Sequence, residues 1–127
     1  MNLEKVFFAF FIVLALTLNF GFFLGDLDDY NHHNVYELFA ALVVSLIATI
    51  MKFGDRAHIG AVLLATSLVA DLQLIAAVIV WGVTVYALET GLSPSIMSSI
   101  VSLSGGALLA NIISVVILVT ETVMFRR

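Results

Sequence analysis

The stretch HIGAVLLATSLVADLQLIAAVIVWGVTVYALE, residues 58–89, decides the fold class. Between its two ends the only charged residue is Asp71. A helix rises about 1.5 Å per residue, so this run is longer than a hydrocarbon core of about 30 Å requires. We therefore predict a membrane-spanning helix that tilts, kinks or projects beyond the membrane. A carboxylate deep in a bilayer is rare and costly, which makes Asp71 a candidate functional residue.

The composition of the whole chain supports this interpretation. Of its 127 residues, 62% are hydrophobic and 11% are charged, whereas soluble domains carry about a quarter charged residues. We predict an all-α integral membrane protein, a four-transmembrane-helix bundle that forms one domain (residues 1–127) in the lipid bilayer. The net charge of −4 does not indicate a nucleic-acid partner. The absence of cysteine excludes disulfides and thiolate metal sites.

Apolar runs and turn residues divide the chain into four predicted spans. These are residues 6–25, 35–53, 58–89 and 94–125. The first run also fits a signal peptide, but it is long for one and lacks an A-x-A-like cleavage site, so we interpret it as a retained helix. Asn34 is the predicted N-cap of the second helix, with Glu37 completing a capping box. Gly54 is expected just beyond the end of that helix, and Ser93-Pro94 is expected to start the fourth.

Basic residues set the predicted topology. With four spans they all fall on one side of the membrane: Lys5, Lys52, Arg56, Arg126 and Arg127. Because Lys and Arg concentrate in cytoplasmic segments, we predict that both termini are cytoplasmic, N-in and C-in. Splitting residues 58–89 at Asp71 into a two-pass hairpin would place the C-terminal arginines outside, so one span is the better interpretation. The size and simplicity of the chain indicate a bacterial inner-membrane protein.

Counting inward from the cytoplasmic ends predicts a polar layer near the midplane. It contains Asp71, Asn19 and Asn111, with Gln73 slightly further out. No Lys, Arg or His lies in this layer, which leaves two alternatives for Asp71. It is protonated and hydrogen-bonded to Asn111, Asn19 or a backbone carbonyl, or it is ionised and faces water or a bound cation. The layer is accordingly either a polar clasp between helices or an ion pathway.

Small residues recur at every fourth position of the fourth helix. They are Ser98, Ser102, Gly106, Ala110 and Ser114. Such a stripe lets two helix backbones approach closely. It is compatible with packing inside one subunit, with self-association, or with a pore lined by small hydroxyls. Since four spans enclose little interior, we predict homo-oligomerisation.

The loop between the first two spans concentrates acidic and imidazole side chains. Asp26, Asp28, Asp29 and Glu37 form a predicted acidic mouth that attracts cations. His33 and Glu37 are one turn apart and are weak candidates for a divalent metal site. A solvated loop in which Asn34 and Glu37 serve in helix capping is the simpler interpretation.

Two functional hypotheses follow from these patterns. The first is a homo-oligomeric cation or proton channel or transport protein that uses Asp71. The alternative is a non-catalytic accessory or assembly subunit of a larger membrane protein, whose basic residue would pair with Asp71. The sequence contains no H-E-x-x-H helix, P-loop or G-x-S-x-G motif, so we predict neither an enzyme nor a cofactor.

Overall fold

The computed structural model describes residues 3–24, 34–54, 58–87 and 93–124. Within these ranges the chain forms four α-helices: α1 (Leu3–Phe23), α2 (Val35–Lys52), α3 (His58–Gly82) and α4 (Pro94–Met124). A π-helix, Val83–Ala87, continues α3. The prediction of four helices is confirmed, and each is long and apolar enough to cross a membrane. When the π-helix is counted with α3, the bounds lie within three residues of the predicted spans; α3 itself ends seven residues before the predicted end at residue 89.

Local capping residues explain where two of the helices begin and one ends. The Asn34 side chain accepts a hydrogen bond from the Tyr36 amide, which confirms it as the N-cap of α2. At the other end of α2, Gly54 has a φ of 87°. Residues that carry a Cβ rarely adopt this left-handed conformation, which is why glycine ends the helix here. The Ser93 hydroxyl accepts from the Ile96 amide and starts α4 as predicted.

The helices pack as a ring of neighbours: α1 against α2 and α4, and α3 against the same two helices. Two contacts on each side show that α4 runs opposite to its neighbours. Lys5 near the start of α1 pairs with Glu121 near the end of α4, at 3.8 Å, and Thr66 of α3 bonds Ser114 of α4. Near the other end of the bundle, Asn19 of α1 bonds Ser104 and Gln73 of α3 lies against Gly106. The bundle is therefore antiparallel. We call the end that carries Lys5, Lys52 and Glu121 the basic end.

Apolar side chains occupy both the inside and the outside of this bundle. Large hydrophobic residues are exposed along all four helices, including Phe10, Leu46, Leu72 and Ile113. A helix that is apolar all round is typical of a membrane span, where lipid covers the outer face. The outward surface is thus the kind that a bilayer would cover.

The interior contains two apolar clusters. The smaller one, nearer the basic end, has four buried members: Phe8, Ile12, Ala48 and Leu63. The larger one extends to the opposite end and includes Phe22, Leu38, Leu74, Met97 and Ile100 among its members. Several buried polar residues lie at the depth where the two clusters meet, and Asp71 is among them.

A candidate ion-binding site inside the bundle

Asp71 points into the bundle from α3, and its side chain is almost completely enclosed, with 4% of the residue exposed. Its two carboxyl oxygens contact two hydroxyl groups of α2. Oδ1 accepts a hydrogen bond from Ser45 Oγ at 2.6 Å, and Oδ2 is bonded to Thr49 Oγ1. Ser45 and Thr49 are one helical turn apart, so both hydroxyls lie on the face of α2 that packs against α3.

These partners differ from the expected ones. The sequence predicted Asn111, Asn19 or a backbone carbonyl as the partner of a protonated Asp71, and for Asn111 and Asn19 this was wrong. The count from the cytoplasmic ends assigned no residue of α2 to the polar layer. Lys52 is only 8% exposed, and its Nζ lies 4.4 Å from the centre of the Phe8 ring. The basic end of α2 is thus enclosed by the bundle, and Thr49 and Ser45, about one and two turns before Lys52, are level with Asp71.

The hydroxyl of Thr49 lies within hydrogen-bond reach of two oxygen atoms, one on Asp71 and one on the Ser45 backbone. Thr49 Oγ1 lies near Asp71 Oδ2 and also 2.9 Å from the Ser45 carbonyl oxygen. With an ionised Asp71, the Thr49 proton is donated to the carboxylate. With a protonated Asp71, Oδ2 donates to Thr49, and Thr49 donates to the Ser45 carbonyl. The two arrangements differ by the Asp71 proton and by the direction of the Thr49 hydroxyl, and Thr49 Oγ1 is hydrogen-bonded to Asp71 in both.

Asn19 belongs to a separate contact between α1 and α4. The residue is fully buried, and its Oδ1 accepts a hydrogen bond from Ser104 Oγ. Its Nδ2 has no partner among the described residues. Ser104 carried no signal in the sequence beyond being a serine in an apolar helix, and only the packing of α1 on α4 identifies it.

Gln73 lies where α3 packs on α4, and Asn111 is a further buried polar residue of α4. Asn111 is fully buried, and neither its Oδ1 nor its Nδ2 finds a partner in the described part of the chain. The same holds for the Gln73 Oε1 and for the buried Ser67 Oγ. Gln73 lies against the backbone of Gly106, where a Cβ would come within 2.7 Å of its Cδ. The absent side chain of Gly106 therefore creates the space that Gln73 fills.

The small-residue stripe of α4 coils around the helix. Four residues advance about 400°, which is about 40° beyond one full turn, so the stripe changes direction along its length. Ser102 is exposed, Gly106 is half-buried against Gln73, and Ser114 is fully buried and bonded to Thr66 at 2.6 Å. The middle of the stripe and its end nearest the basic end thus pack on α3 of the same chain. Ser98, at the other end of the stripe, is half-buried, and Ala110, between Gly106 and Ser114, is buried.

The predicted acidic mouth lies mostly outside the described residues. This applies to Asp26, Asp28 and Asp29, and also to His33 of the proposed metal pair. Glu37 is described: it is half-buried, and its carboxylate packs on the backbone of Gly21. Within the described ranges there is no group of three His, Cys, Asp or Glu residues that could hold a metal ion.

Fold and site together define a class: an all-helical protein whose four helices are long and apolar enough to span a membrane and enclose a buried aspartate. A family model described as "Family of unknown function (DUF6394)" matches residues 32–122, and the chain belongs to this family. The matched range contains Ser45, Thr49, Asp71 and Asn111. No curated protein and no solved structure matches the chain.

Proposed function

We propose that the protein is an integral membrane protein of the bacterial inner membrane that moves protons or cations through a pathway containing Asp71. The observation that carries this proposal is the enclosed carboxyl group, whose two oxygens are hydrogen-bonded to two hydroxyl groups. Carboxylates at this depth are rare and mark ion pathways and proton relays. Asp71 would bind and release the ion, with Asn19, Gln73 and Asn111 as polar neighbours.

Other contacts in the same bundle argue against a purely structural role for Asp71. Thr66 and Ser114 join α3 to α4, and Ser104 and Asn19 join α4 to α1, all without an ionisable group. Polar contacts between membrane helices contribute only about 1 kcal/mol, and neutral side chains suffice for them. A carboxyl group would therefore be an expensive choice for joining α2 to α3 unless its charge is used.

The enclosure of Asp71 also favours the pathway over the accessory-subunit hypothesis. That alternative needs a basic side chain from a partner to reach the carboxylate. With 4% of Asp71 exposed, such a side chain would have to enter between packed helices. Self-association through the exposed part of the α4 stripe remains part of the proposal, but the Asp71 site lies within one subunit and does not depend on it.

The two apolar clusters favour a transport protein that changes conformation over a permanently open channel. One cluster lies on each side of the Asp71 level, and their buried members are packed without exposure to solvent. An ion that crosses the bundle must pass both. We expect transport to be slow compared with an open pore and to require helix movement.

Flux in lipid vesicles tests the proposal. Purified protein should admit protons, or a monovalent cation, down an imposed gradient, and Asp71→Asn should abolish this flux. Leu72→Ile is the matched control because Leu72 is the next residue on α3 but faces outward, 69% exposed. Equal flux in the wild type and Asp71→Asn, or none in either for protons, sodium or potassium, would refute the pathway.

The proposed orientation has both termini in the cytoplasm. Because the chain lacks cysteine, single-cysteine variants can be labelled without removing native thiols. A membrane-impermeant thiol reagent added to intact cells should label Thr90→Cys and spare Arg127→Cys. The opposite labelling pattern would show that the orientation is inverted.

A further inference from the structure

Five buried polar atoms near the level of Asp71 have no hydrogen-bond partner among the described residues. They are Asn19 Nδ2, Ser67 Oγ, Gln73 Oε1, and both Oδ1 and Nδ2 of Asn111. Most buried polar groups in proteins are hydrogen-bonded to protein or to ordered water, and an unsatisfied one is costly. A group of five in a small bundle therefore indicates a bound polar ligand.

Contacts between α3 and α4 fix where Asn111 lies relative to Asp71. Thr66 is bonded to Ser114, and Gln73 lies against Gly106, so the helices run antiparallel between these two contacts. Asn111 precedes Ser114 by three residues and is thus level with the residue three positions after Thr66. That level falls between Ser67 and Asp71, one turn apart on α3.

The chemistry of the free atoms identifies the ligand as water. A metal cation is bound by oxygen acceptors, so it would leave the NH₂ donors of Asn19 and Asn111 without a partner. Exchanging the O and N positions of the Asn111 amide does not change this, because both atoms are without a partner within the described ranges. Two amide NH₂ donors, two carbonyl acceptors and one hydroxyl match water, which both donates and accepts hydrogen bonds. Buried waters of this kind typically bond two to four polar groups.

We infer that water held by Asn111 and Ser67 inside the bundle carries protons to Asp71, so that the ion of the proposed pathway is a proton. This inference rests on the proposed function. A hydronium ion in this water would give its proton to the Asp71 carboxylate and become a water molecule. The reverse step would return the proton to the water and restore the carboxylate, with Thr49 reorienting its hydroxyl each time.

Infrared spectroscopy of the full chain in phosphatidylethanolamine–phosphatidylglycerol vesicles tests this directly. The carboxyl band of Asp71 is identified by its loss in Asp71→Asn. When the protonated sample is moved from H₂O to D₂O, this band should shift at once in the wild type. In Asn111→Leu the shift should be slower by about tenfold, the effect expected when water loses one of its hydrogen-bond partners. Ile113→Leu, an outward-facing change on the same helix, should exchange like the wild type.

A second variant guards against misfolding of Asn111→Leu. Ser67→Ala removes one free hydroxyl with little change in volume and should also slow the exchange. Slow exchange in the wild type, or an Asp71 that never takes up a proton while the protein stays folded, would overturn the inference.

The same samples separate this inference from the proposed function. Sodium or potassium flux that depends on Asp71, without proton flux, would overturn the water-borne proton and leave the pathway standing. Rapid exchange at Asp71 together with no ion flux would support the internal water but refute the pathway.

Discussion

The two sides of α3 differ in how their buried polar groups are satisfied. Towards α2, both oxygens of Asp71 are bonded by the hydroxyls of Ser45 and Thr49. Towards α4, Asn111 is just as deeply buried but has no partner among the described residues. The comparison shows that the carboxyl group is held by protein hydroxyls, whereas the amide of Asn111 is not, and we propose that water bonds it. A carrier of protons needs both: a defined binding position and a route by which the proton arrives.

The largest effect is expected from removing both hydroxyls on the α2 side. Ser45→Ala combined with Thr49→Val leaves the Asp71 carboxyl group buried without its two partners. We expect this to lower the free energy of unfolding, measured in mixed detergent micelles, by about 2 to 4 kcal/mol, because hydrogen bonds to a buried charged group are strong. Adding Asp71→Asn to the double variant should recover most of the loss. If it recovers none, the hydroxyls stabilise the fold independently of Asp71.

A smaller loss is expected where a neutral hydrogen bond is broken. Ser104→Ala removes the hydroxyl bonded to Asn19 Oδ1. We expect a decrease of about 1 kcal/mol in the unfolding free energy, the usual contribution of a hydrogen bond between membrane helices. Ser102→Ala on the same helix is the control, because Ser102 is exposed, and it should have no effect. Equal effects of the two changes would contradict the assigned contact.

Among the buried positions, replacing Asn111 should change the unfolding free energy least. Its effect on proton transport should be larger than its effect on stability. In Asn111→Leu no hydrogen bond to the described part of the protein is lost, and a side chain of similar size fills the site. We expect the unfolding free energy to stay within about 1 kcal/mol of the wild type while proton flux falls. A loss as large as that of the Ser45 and Thr49 double variant would mean that Asn111 has a protein partner after all.

The smallest effect is expected at the basic end. The ion pair between Lys5 and Glu121 has a nitrogen–oxygen distance of 3.8 Å, and the Lys5 side chain is 58% exposed. Such pairs are screened by solvent and typically contribute about 0 to 1 kcal/mol, here at the low end. Glu121→Gln should leave thermal unfolding almost unchanged, and any decrease should disappear in high salt. A salt-independent decrease would indicate a packing role for Glu121.

Sequence patterns predicted the fold better than the site. Apolar length and the capping residues Asn34, Gly54 and Ser93 were enough to place all four helices, because these signals are local. Asp71 could also be recognised from the sequence, since it is the one charged residue in residues 59–88. Its partners were not, because Ser45 and Thr49 look like ordinary small residues of a membrane helix.

The missed partners have a physical explanation. Which residues of α2 face Asp71 depends on how far α2 is inserted relative to α3, and this offset is set by tertiary packing. Lys52, the last residue of α2, is buried with its Nζ over the Phe8 ring, and its charge did not predict this placement. Similarly, the small residues of α4 predicted one continuous face. Because a four-residue repeat turns around the helix, part of the stripe is exposed and part of it packs on α3.

The central claim, that Asp71 binds the transported ion, is tested most directly by the initial rate of proton entry into vesicles. This rate is compared for the wild type, Asp71→Asn and Leu72→Ile. We predict that the wild type and Leu72→Ile admit protons at the same rate, and that Asp71→Asn is indistinguishable from vesicles without protein. Proton entry that is unchanged by Asp71→Asn, or that is lost equally in Leu72→Ile, would contradict the assignment of Asp71 as the ion-binding residue.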